Sequence, residues 1–188
     1  MNVGQKCLIT VDGTDFWIQE PTEFDPKWYN HKINGPAVSY EVAMCVKTGE
    51  IVWINGPFAA GRWDDRGIAR LCLNEMLDDG EKYIADGGYF DGYQWAETPD
   101  GTHSLEQRMY ALSRARHETV NGRFKNWRCL KQQYRHSLEK HGPLFRSVAA
   151  IVQIGIMHGE SLFSVPYNED VFFLDLDGVS DSDSEDDY

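Results

Sequence analysis

Residues 6–14, KCLITVDGT, begin the pattern from which the fold can be predicted. Their first six side chains favour a strand, and Asp12-Gly13-Thr14 predicts the turn that ends it. Two further β-rich runs, residues 37–46 and 51–54, are separated by Thr48-Gly49-Glu50, which predicts a tight hairpin turn. Together the three runs predict an antiparallel meander.

The later part of the chain alternates helical and strand patterns. In order, it predicts a helix from Asp64 or Asp65 to Leu77, strands over 82–85 and 93–96, helices over 104–127 and 144–158, and a last strand over 162–165. Strands of this kind, interleaved with helices, predict an α/β fold. Its sheet is mixed, an antiparallel meander plus parallel strands, and is flanked by helices.

The net charge of −12 argues against a nucleic-acid partner only if the charge is spread evenly. Of the 18 Lys and Arg residues, 10 lie within residues 106–146, which hold only 3 acids, whereas residues 147–188 hold 10 acids and no basic residue. The basic block fits either a solvated helix or a nucleic-acid contact. No apolar run approaches the ~18 residues of a membrane span, so no membrane partner is expected.

The end of the chain differs from the rest in composition. Residues 180–187, SDSDSEDD, are acidic, of low complexity and free of apolar side chains. Such a segment cannot bury enough surface to offset its ordering entropy. We therefore predict one domain over residues 1–173 and a disordered acidic tail over 174–188, which either keeps the chain soluble or serves a partner.

Three acids lie where this sheet would bring carboxylates together. Asp12 follows the first strand, Asp86 follows the fourth, and Glu118 in the basic helix is expected to point back at the same edge. Converging carboxylates repel unless a cation is present, and oxygen ligands select Mg²⁺ or Mn²⁺. Two such ions roughly 3.5–4 Å apart can activate a water and stabilise the leaving oxygen of a phosphodiester. The alternative is that each Asp-Gly is only a turn.

Four motifs around these acids resemble those of the DDE superfamily endonucleases and transposases, near the Harbinger-type elements. They are ITVDGTD at 9–15, GRWDDRGI at 61–68, YIADGGY at 83–89 and RARHETVNGRFK at 114–125. In the last motif, Arg114, Glu118 and Lys125 have the spacing of the Arg, Glu and Lys in a signature shared by related insertion-sequence transposases. The resemblance covers about Leu8 to Val165. It implies an RNase H-like fold and metal-dependent cleavage of DNA, with or without strand transfer.

The resemblance implies that Asp12, Asp86 and Glu118 form a catalytic triad that holds two Mg²⁺ or Mn²⁺ ions. Asn121 is the alternative to Glu118, because in many relatives the acid stands three residues before the Phe of this helix. The Arg and Lys spacings favour Glu118. Asp65 matches an acid of the second motif and is either an auxiliary acid or a helix N-cap, of which we favour the cap.

The same resemblance implies DNA as the substrate and the basic block as its phosphate contact. The residues expected to bind nucleic acid are Arg114, Arg116, Arg123, Lys125, Arg128 and Lys131. Trp127 and Tyr134 lie within the basic block and either stack on a base or pack in the core.

Family members usually carry a helix-turn-helix region before the first strand, which here begins near residue 6. A separate DNA-binding partner would then supply sequence specificity, or the chain is a truncated or domesticated copy. The functions left open are an active nuclear enzyme, an inactive remnant that binds DNA or protein, and an RNA-directed nuclease of the same fold. Each is compatible with an oligomer.

Overall fold

The computed structural model describes residues 6–23, 25–92, 94–99, 101 and 105–167. The strands are β1 (Lys6–Trp17), β2 (Tyr29–Asn30), β3 (Gly35–Cys45), β4 (Ile51–Ala59), β5 (Glu81–Ile84) and β6 (Ala96–Glu97). The α-helices are α1 (Asp65–Leu71), α2 (Leu73–Met76), α3 (Leu105–Asn126), α4 (Arg128–Lys131) and α5 (His141–Met157). Short 3₁₀ turns lie at Pro26–Trp28, Gly87–Tyr89 and Leu138–Lys140.

Strand β1 lies at the centre of the sheet. β3 pairs antiparallel with one edge of β1, from Ile9 opposite Cys45 to Trp17 opposite Ala37, and β2 and β4 pair with the far edge of β3. β5 pairs parallel with the other edge of β1, and β6 pairs parallel with β5. The predicted fold class is confirmed: an antiparallel meander joined to parallel strands and flanked by helices, consistent with an RNase H-like α/β fold.

The larger core lies on the face of the sheet that α3 and α5 cover. Alternate side chains of a strand face opposite sides, and Phe16 and Tyr40 face these helices. The Phe145 ring of α5 lies with its centroid 5.1 Å from Phe16, 4.2 Å from Tyr40 and 5.1 Å from Phe124 of α3. Burial of such side chains contributes about 1.5–3 kcal/mol each, so this aromatic contact fixes both helices on the sheet.

A polar contact also fastens α3 to the centre of the sheet. The Thr10 hydroxyl of β1 is hydrogen-bonded to Nδ1 of His117 at 2.9 Å, and both residues are buried. The bond lies within the same layer as the aromatic core, so it fixes the height of α3 along β1. The residues of α3 that follow His117 are thereby held beside the middle of the strand.

The opposite face of the sheet is covered by α1 and α2. Val11 and Ala43 pack there with Ala69 of α1 and Leu73 of α2. The predicted single helix to Leu77 is interrupted at Cys72, whose φ of −143° lies outside the helical range.

One predicted boundary and one predicted strand are wrong. β1 does not end at Asp12 but continues to Trp17, because pairing with β3 continues past Asp12-Gly13 and outweighs their turn propensity. Residues 162–165 form no strand. Val165 is instead buried against Cys7 and Tyr110, so its apolar character serves packing.

The other predicted elements are present with shifted bounds. β4 continues to Ala59, past its predicted end at Ile54, β6 shares only Ala96 with the predicted strand over 93–96, and α3 and α5 lie close to their expected ranges. The acidic tail at 174–188 and the boundary at 173 lie outside the described residues and stay predictions. So do Tyr93 and Ser104, at the starts of the predicted fifth strand and first long helix. None of the helices in the described ranges is both long enough and apolar enough to cross a bilayer.

Candidate active site

One edge of β1 has a gap in its backbone pairing. β3 occupies the opposite edge along its length. On this edge β5 pairs only as far as Thr10, which lies opposite Ile84, and pairing resumes at the bridge between Ile18 and Tyr134. We call residues 11–16 the open edge, and Asp12 lies within it.

Asp12 is held on the face of β1 that packs against α3. Its Oδ2 accepts a hydrogen bond from Nδ2 of Asn121 at 2.9 Å, and its Oδ1 accepts one from the Gly13 N–H at 2.9 Å. Burial, together with the negative charges of Glu118 and Asp86, raises the pKa of Asp12 to about 7. The carboxyl therefore exchanges its proton near neutral pH, as expected of an acid crowded by other acids.

Asp86 reaches the open edge by the predicted route. It comes two residues after Ile84, and Asp12 comes two residues after Thr10, the β1 partner of Ile84 in the parallel register. Asp86 caps the following 3₁₀ turn by accepting the Gly88 N–H at 2.8 Å. The matched offset along two neighbouring parallel strands places Asp86 near enough for its charge to raise the pKa of Asp12.

Asp65 joins these acids, although the sequence favoured it as a helix cap. Asp64 is the cap, since its Oδ1 accepts the Gly67 N–H at 2.8 Å. The Asp65 carboxylate lies against two glycines: a Cβ on Gly13 would be 2.6 Å from its Oδ1, and a Cβ on Gly88 would be 3.2 Å from its Oδ2. A Cβ at Gly13 would displace this carboxylate, whereas a Cβ at Gly88 would crowd it and lie 2.9 Å from Oδ1 of Asp86, so both glycines serve the site.

The surroundings of Asp65 combine burial with one cation. Burial raises its pKa, whereas Lys32, whose Nζ lies 3.5 Å from Oδ2, lowers it. Lys32, Arg62 and Trp63 line a pocket of about 530 Å³ beside this carboxylate. The sequence analysis gave no role to Lys32 or Arg62. Lys32 lies in a turn outside the four motifs, and Arg62 lies in the second motif, where only the acids were considered.

Glu118 and Asn121, the two alternatives for the third position, both reach the open edge. Glu118 is exposed, and its charge raises the pKa of Asp12 more than any other neighbouring charge. Asn121, one turn later on α3, is 4% exposed and makes the direct contact with Asp12. Its Oδ1 is buried and has no hydrogen-bond partner among the described residues. The Asn121 amide therefore contacts Asp12, and the Glu118 carboxylate faces solvent.

The chemistry of these donors fits a hard divalent cation. The four acids offer only oxygen ligands, the orphaned Oδ1 of Asn121 offers another, and a cation would relieve the repulsion felt by Asp12. In the described part of the chain, however, no three Asp, Glu, His or Cys side chains are close enough together to hold one ion. One reason is the strand pleat: Asp12 faces α3, whereas Asp65 fills the side-chain space of Gly13 on the other face.

Arg116, which the sequence predicts to bind nucleic acid, is not available for it. Its side chain is 3% exposed, and Nη2 donates to the carbonyl of Cys45 at 3.1 Å and to that of Val46. It therefore anchors α3 to the turn after β3. The 3–4 spacing of Ser113, Arg116, His117 and Val120, all buried, is the sequence signal that places Arg116 on the inner side of the helix.

The other five predicted nucleic-acid contacts are accessible to different degrees. Arg123 is half-buried, and its Nη1 donates to the Glu160 carbonyl at 2.7 Å. Arg114 is half-buried as well, whereas Lys125, Arg128 and Lys131 are exposed. The exposed cations are thus concentrated at the end of α3 and on α4.

Arg128 and Lys131 line a groove of about 880 Å³ where α4 and the segment after it pass the end of β1. Trp17, Arg135 and Lys140 also line this feature, which we call the basic groove. Of the two aromatic residues considered earlier, Tyr134 is only 7% exposed and belongs to the larger core. Trp127 is 38% exposed.

Comparison with known proteins gives one family match. A family model described as DDE superfamily endonuclease matches residues 11–156, from β1 to the end of α5. That range contains the open edge, the four acids and all the residues that line the basic groove. No curated protein and no solved structure matches the chain significantly.

Proposed function

Because the chain belongs to the DDE superfamily endonucleases, we propose that it cleaves phosphodiester bonds of DNA with two bound Mg²⁺ or Mn²⁺ ions. The observation that carries the proposal is the placement of Asp12 at the open edge, where Asn121 and the Gly13 N–H hold its carboxylate and Asp65 packs against the adjacent Gly13. Several carboxylates gathered beside an unpaired strand edge weaken the fold unless a ligand uses them.

The residues proposed to hold the ions are Asp12, Asp86 and Glu118, with Asp65 as an additional carboxylate. When bound, the ions would lower the pKa of an attacking water and offset negative charge on the leaving oxygen. A side-chain movement is required first, because the acids approach β1 from two faces. Glu118, which is exposed, is the acid with most freedom to make it.

The other residues of the site orient and insulate these acids. Asn121 and the Gly13 N–H each hold one oxygen of Asp12, which fixes the rotation of its carboxylate. Lys32 offsets the charge of Asp65 while the site holds no cation. These contacts preorganise Asp12, the first acid of the proposed triad, and the additional carboxylate Asp65, and they leave Glu118 to complete the site.

The DNA contact proposed here is narrower than the sequence predicts. Lys125, Arg128 and Lys131 are the accessible cations, with Arg114 at the margin, and Arg116 is removed from the set. A Harbinger-like origin, a nuclear location, strand transfer after cleavage and a separate partner that supplies specificity remain parts of the proposal.

The direct test is nicking of supercoiled plasmid by the full chain with Mg²⁺ or Mn²⁺. We expect relaxed circles from the wild type and a rate at least ~10²-fold lower for Asp12→Asn and for Asp86→Asn. Asp78→Asn changes an exposed acid away from the site and should nick normally. Unchanged nicking by both site variants would refute the proposal.

The inactive remnant is the second candidate, and two observations favour it. An amide, Asn121, contacts Asp12, and no three metal-binding side chains converge within the described residues. Calorimetric titration with Mn²⁺ separates the two: an enzyme binds the ion with an affinity that Asp12→Asn lowers, and a remnant gives no heat of binding.

A further inference from the structure

The basic groove is attached to the same strand edge as the acids. The Tyr134 N–H donates to the Trp17 carbonyl at 2.9 Å, and the Gln19 N–H donates to the Tyr134 carbonyl at 2.7 Å. β3 occupies the other edge of β1 as far as Trp17, so the Tyr134 segment pairs where the open edge ends. A polymer lying along this edge would pass from Asp12 directly into the groove.

The charge of the groove is positive and uncompensated. Arg128, Lys131, Arg135 and Lys140 are exposed, and none forms an ion pair within the described ranges. The lining includes no acid, and Glu139, beside Lys140 in sequence, lies outside it. Four unpaired cations on one concave surface attract a chain of phosphates.

Trp17 gives the groove an aromatic surface. Its side chain is 50% exposed although it lies at the end of a central strand, and it belongs to none of the three core clusters. An exposed indole among cations is the arrangement by which proteins stack an unpaired base and hold its phosphates. A base inside a duplex presents no free face to it.

We propose that the basic groove binds single-stranded DNA, with one unpaired base stacked on Trp17. Trp17 lies five strand residues beyond Asp12, which is about 17 Å at ~3.4 Å per residue. This deepens the proposed function and rests on it: the groove would hold a strand that has separated near the cut.

Fluorescence anisotropy of a labelled oligonucleotide, with the full chain and EDTA, tests the groove without cleavage. The wild type should bind a single strand more tightly than a duplex of the same sequence. Trp17→Ala should weaken single-strand binding by about 5- to 100-fold, and Trp17→Phe, which keeps an aromatic face, should lose much less. Phe163→Ala, at an aromatic residue 45% exposed outside the groove, is the matched control and should bind normally.

The salt dependence tests the cations separately. Lys131→Gln and Arg135→Gln should each reduce the slope of log affinity against log salt by about 0.7, the value for one phosphate contact of a single strand. Arg108→Gln, at an exposed arginine of α3 outside the groove, should leave the slope unchanged. Circular dichroism confirms that each variant is folded.

The proposal for the groove and the proposed nuclease function can be refuted independently. If Trp17→Ala leaves single-strand binding unchanged, the proposal for the groove is wrong, even if the chain nicks plasmid DNA. Equal affinity for duplex and single strand also overturns it. If binding depends on Trp17 but the chain never nicks DNA, the groove binds single strands as proposed and the proposed nuclease function is refuted.

Discussion

The open edge and the basic groove lie on the same edge of β1 but differ in the sign of their charge and in how far that charge is buried. At the open edge the acids are crowded and mostly half-buried, and burial with mutual repulsion raises the pKa of Asp12. In the groove the cations are exposed and spread over a short segment. Crowded, half-buried charges interact strongly and resist screening, whereas exposed ones interact weakly and respond to salt. The first arrangement suits a small ion and the second a polymer.

The largest expected effect separates the chemistry of the two regions. Glu118→Gln should lower the nicking rate at saturating DNA by about 10²-fold, because it removes a proposed ligand. Arg128→Gln should instead raise the DNA concentration needed for half-maximal rate by a few-fold. Initial rates over a range of plasmid concentrations measure both. Glu75→Gln, at an exposed acid of α2, is the control. If Glu118→Gln and Arg128→Gln changed the same parameter equally, either the maximal rate or the half-saturating DNA concentration, the two regions would not differ as described.

The next effect concerns two arginines that the sequence treats alike. Arg116→Met should lower the free energy of unfolding by about 2–4 kcal/mol, because the buried carbonyl of Val46 loses its donor. Arg128→Met should change it by less than about 0.5 kcal/mol, since that side chain is exposed. Urea unfolding followed by circular dichroism measures the difference. Similar losses would place Arg128 in the fold rather than in the groove.

A smaller effect follows from the pKa of Asp12. The folded chain keeps this proton up to about pH 7, whereas the ordinary value is 3.8, so the metal-free fold takes up a proton between those values. Stability should therefore fall as the pH rises from about 4 to 7. Asp12→Asn should remove this part of the pH dependence and stabilise the metal-free chain at pH 8 by about 1–3 kcal/mol.

Thermal melts at several pH values in EDTA measure this effect. The Asp78→Asn control should keep the wild-type profile, and Mg²⁺ at pH 8 should raise the melting temperature of the wild type but not that of Asp12→Asn. Parallel pH profiles for wild type and Asp12→Asn would contradict the assignment.

The smallest effect distinguishes two neighbouring acids. Asp64→Ala should cost about 1 kcal/mol of stability by removing the cap of α1. Asp65→Asn should cost nothing or stabilise the metal-free chain, since burial raises the pKa of Asp65. Urea unfolding of the two variants side by side is the measurement. A larger loss from Asp65→Asn would make it a structural residue.

The sequence predicts the sheet well because hairpin turns and β-rich runs are local signals. The Thr48-Gly49-Glu50 turn and the strands around it appear where expected. Asp12 was misplaced at the end of a strand because a dipeptide with turn propensity is extended when a neighbouring strand pairs with it throughout. That partner strand lies more than twenty residues away, outside any local window.

The candidate site is predicted in part for a related reason. Asp12 and Asp86 follow from the parallel register, and Glu118 is in the same electrostatic neighbourhood. Asp65 does not follow from sequence, because Asp64 and Asp65 are equally good caps and only the packing against Gly13 decides between them. The groove escapes prediction because Trp17 and Lys131 belong to distant segments that meet only through the Tyr134 bridge.

The bond between Thr10 and His117 has a consequence for how any pH optimum is to be interpreted. Burial, together with the charges of Arg116 and Arg114, lowers the pKa of His117 to about 3. The ring therefore stays neutral across the whole pH range in which Asp12 titrates. Its bond to Thr10 is then unchanged, so α3, which carries Glu118, stays in the same position on β1. A change in activity near neutral pH would then report the titration of the carboxyl groups and not a movement of α3 relative to the sheet.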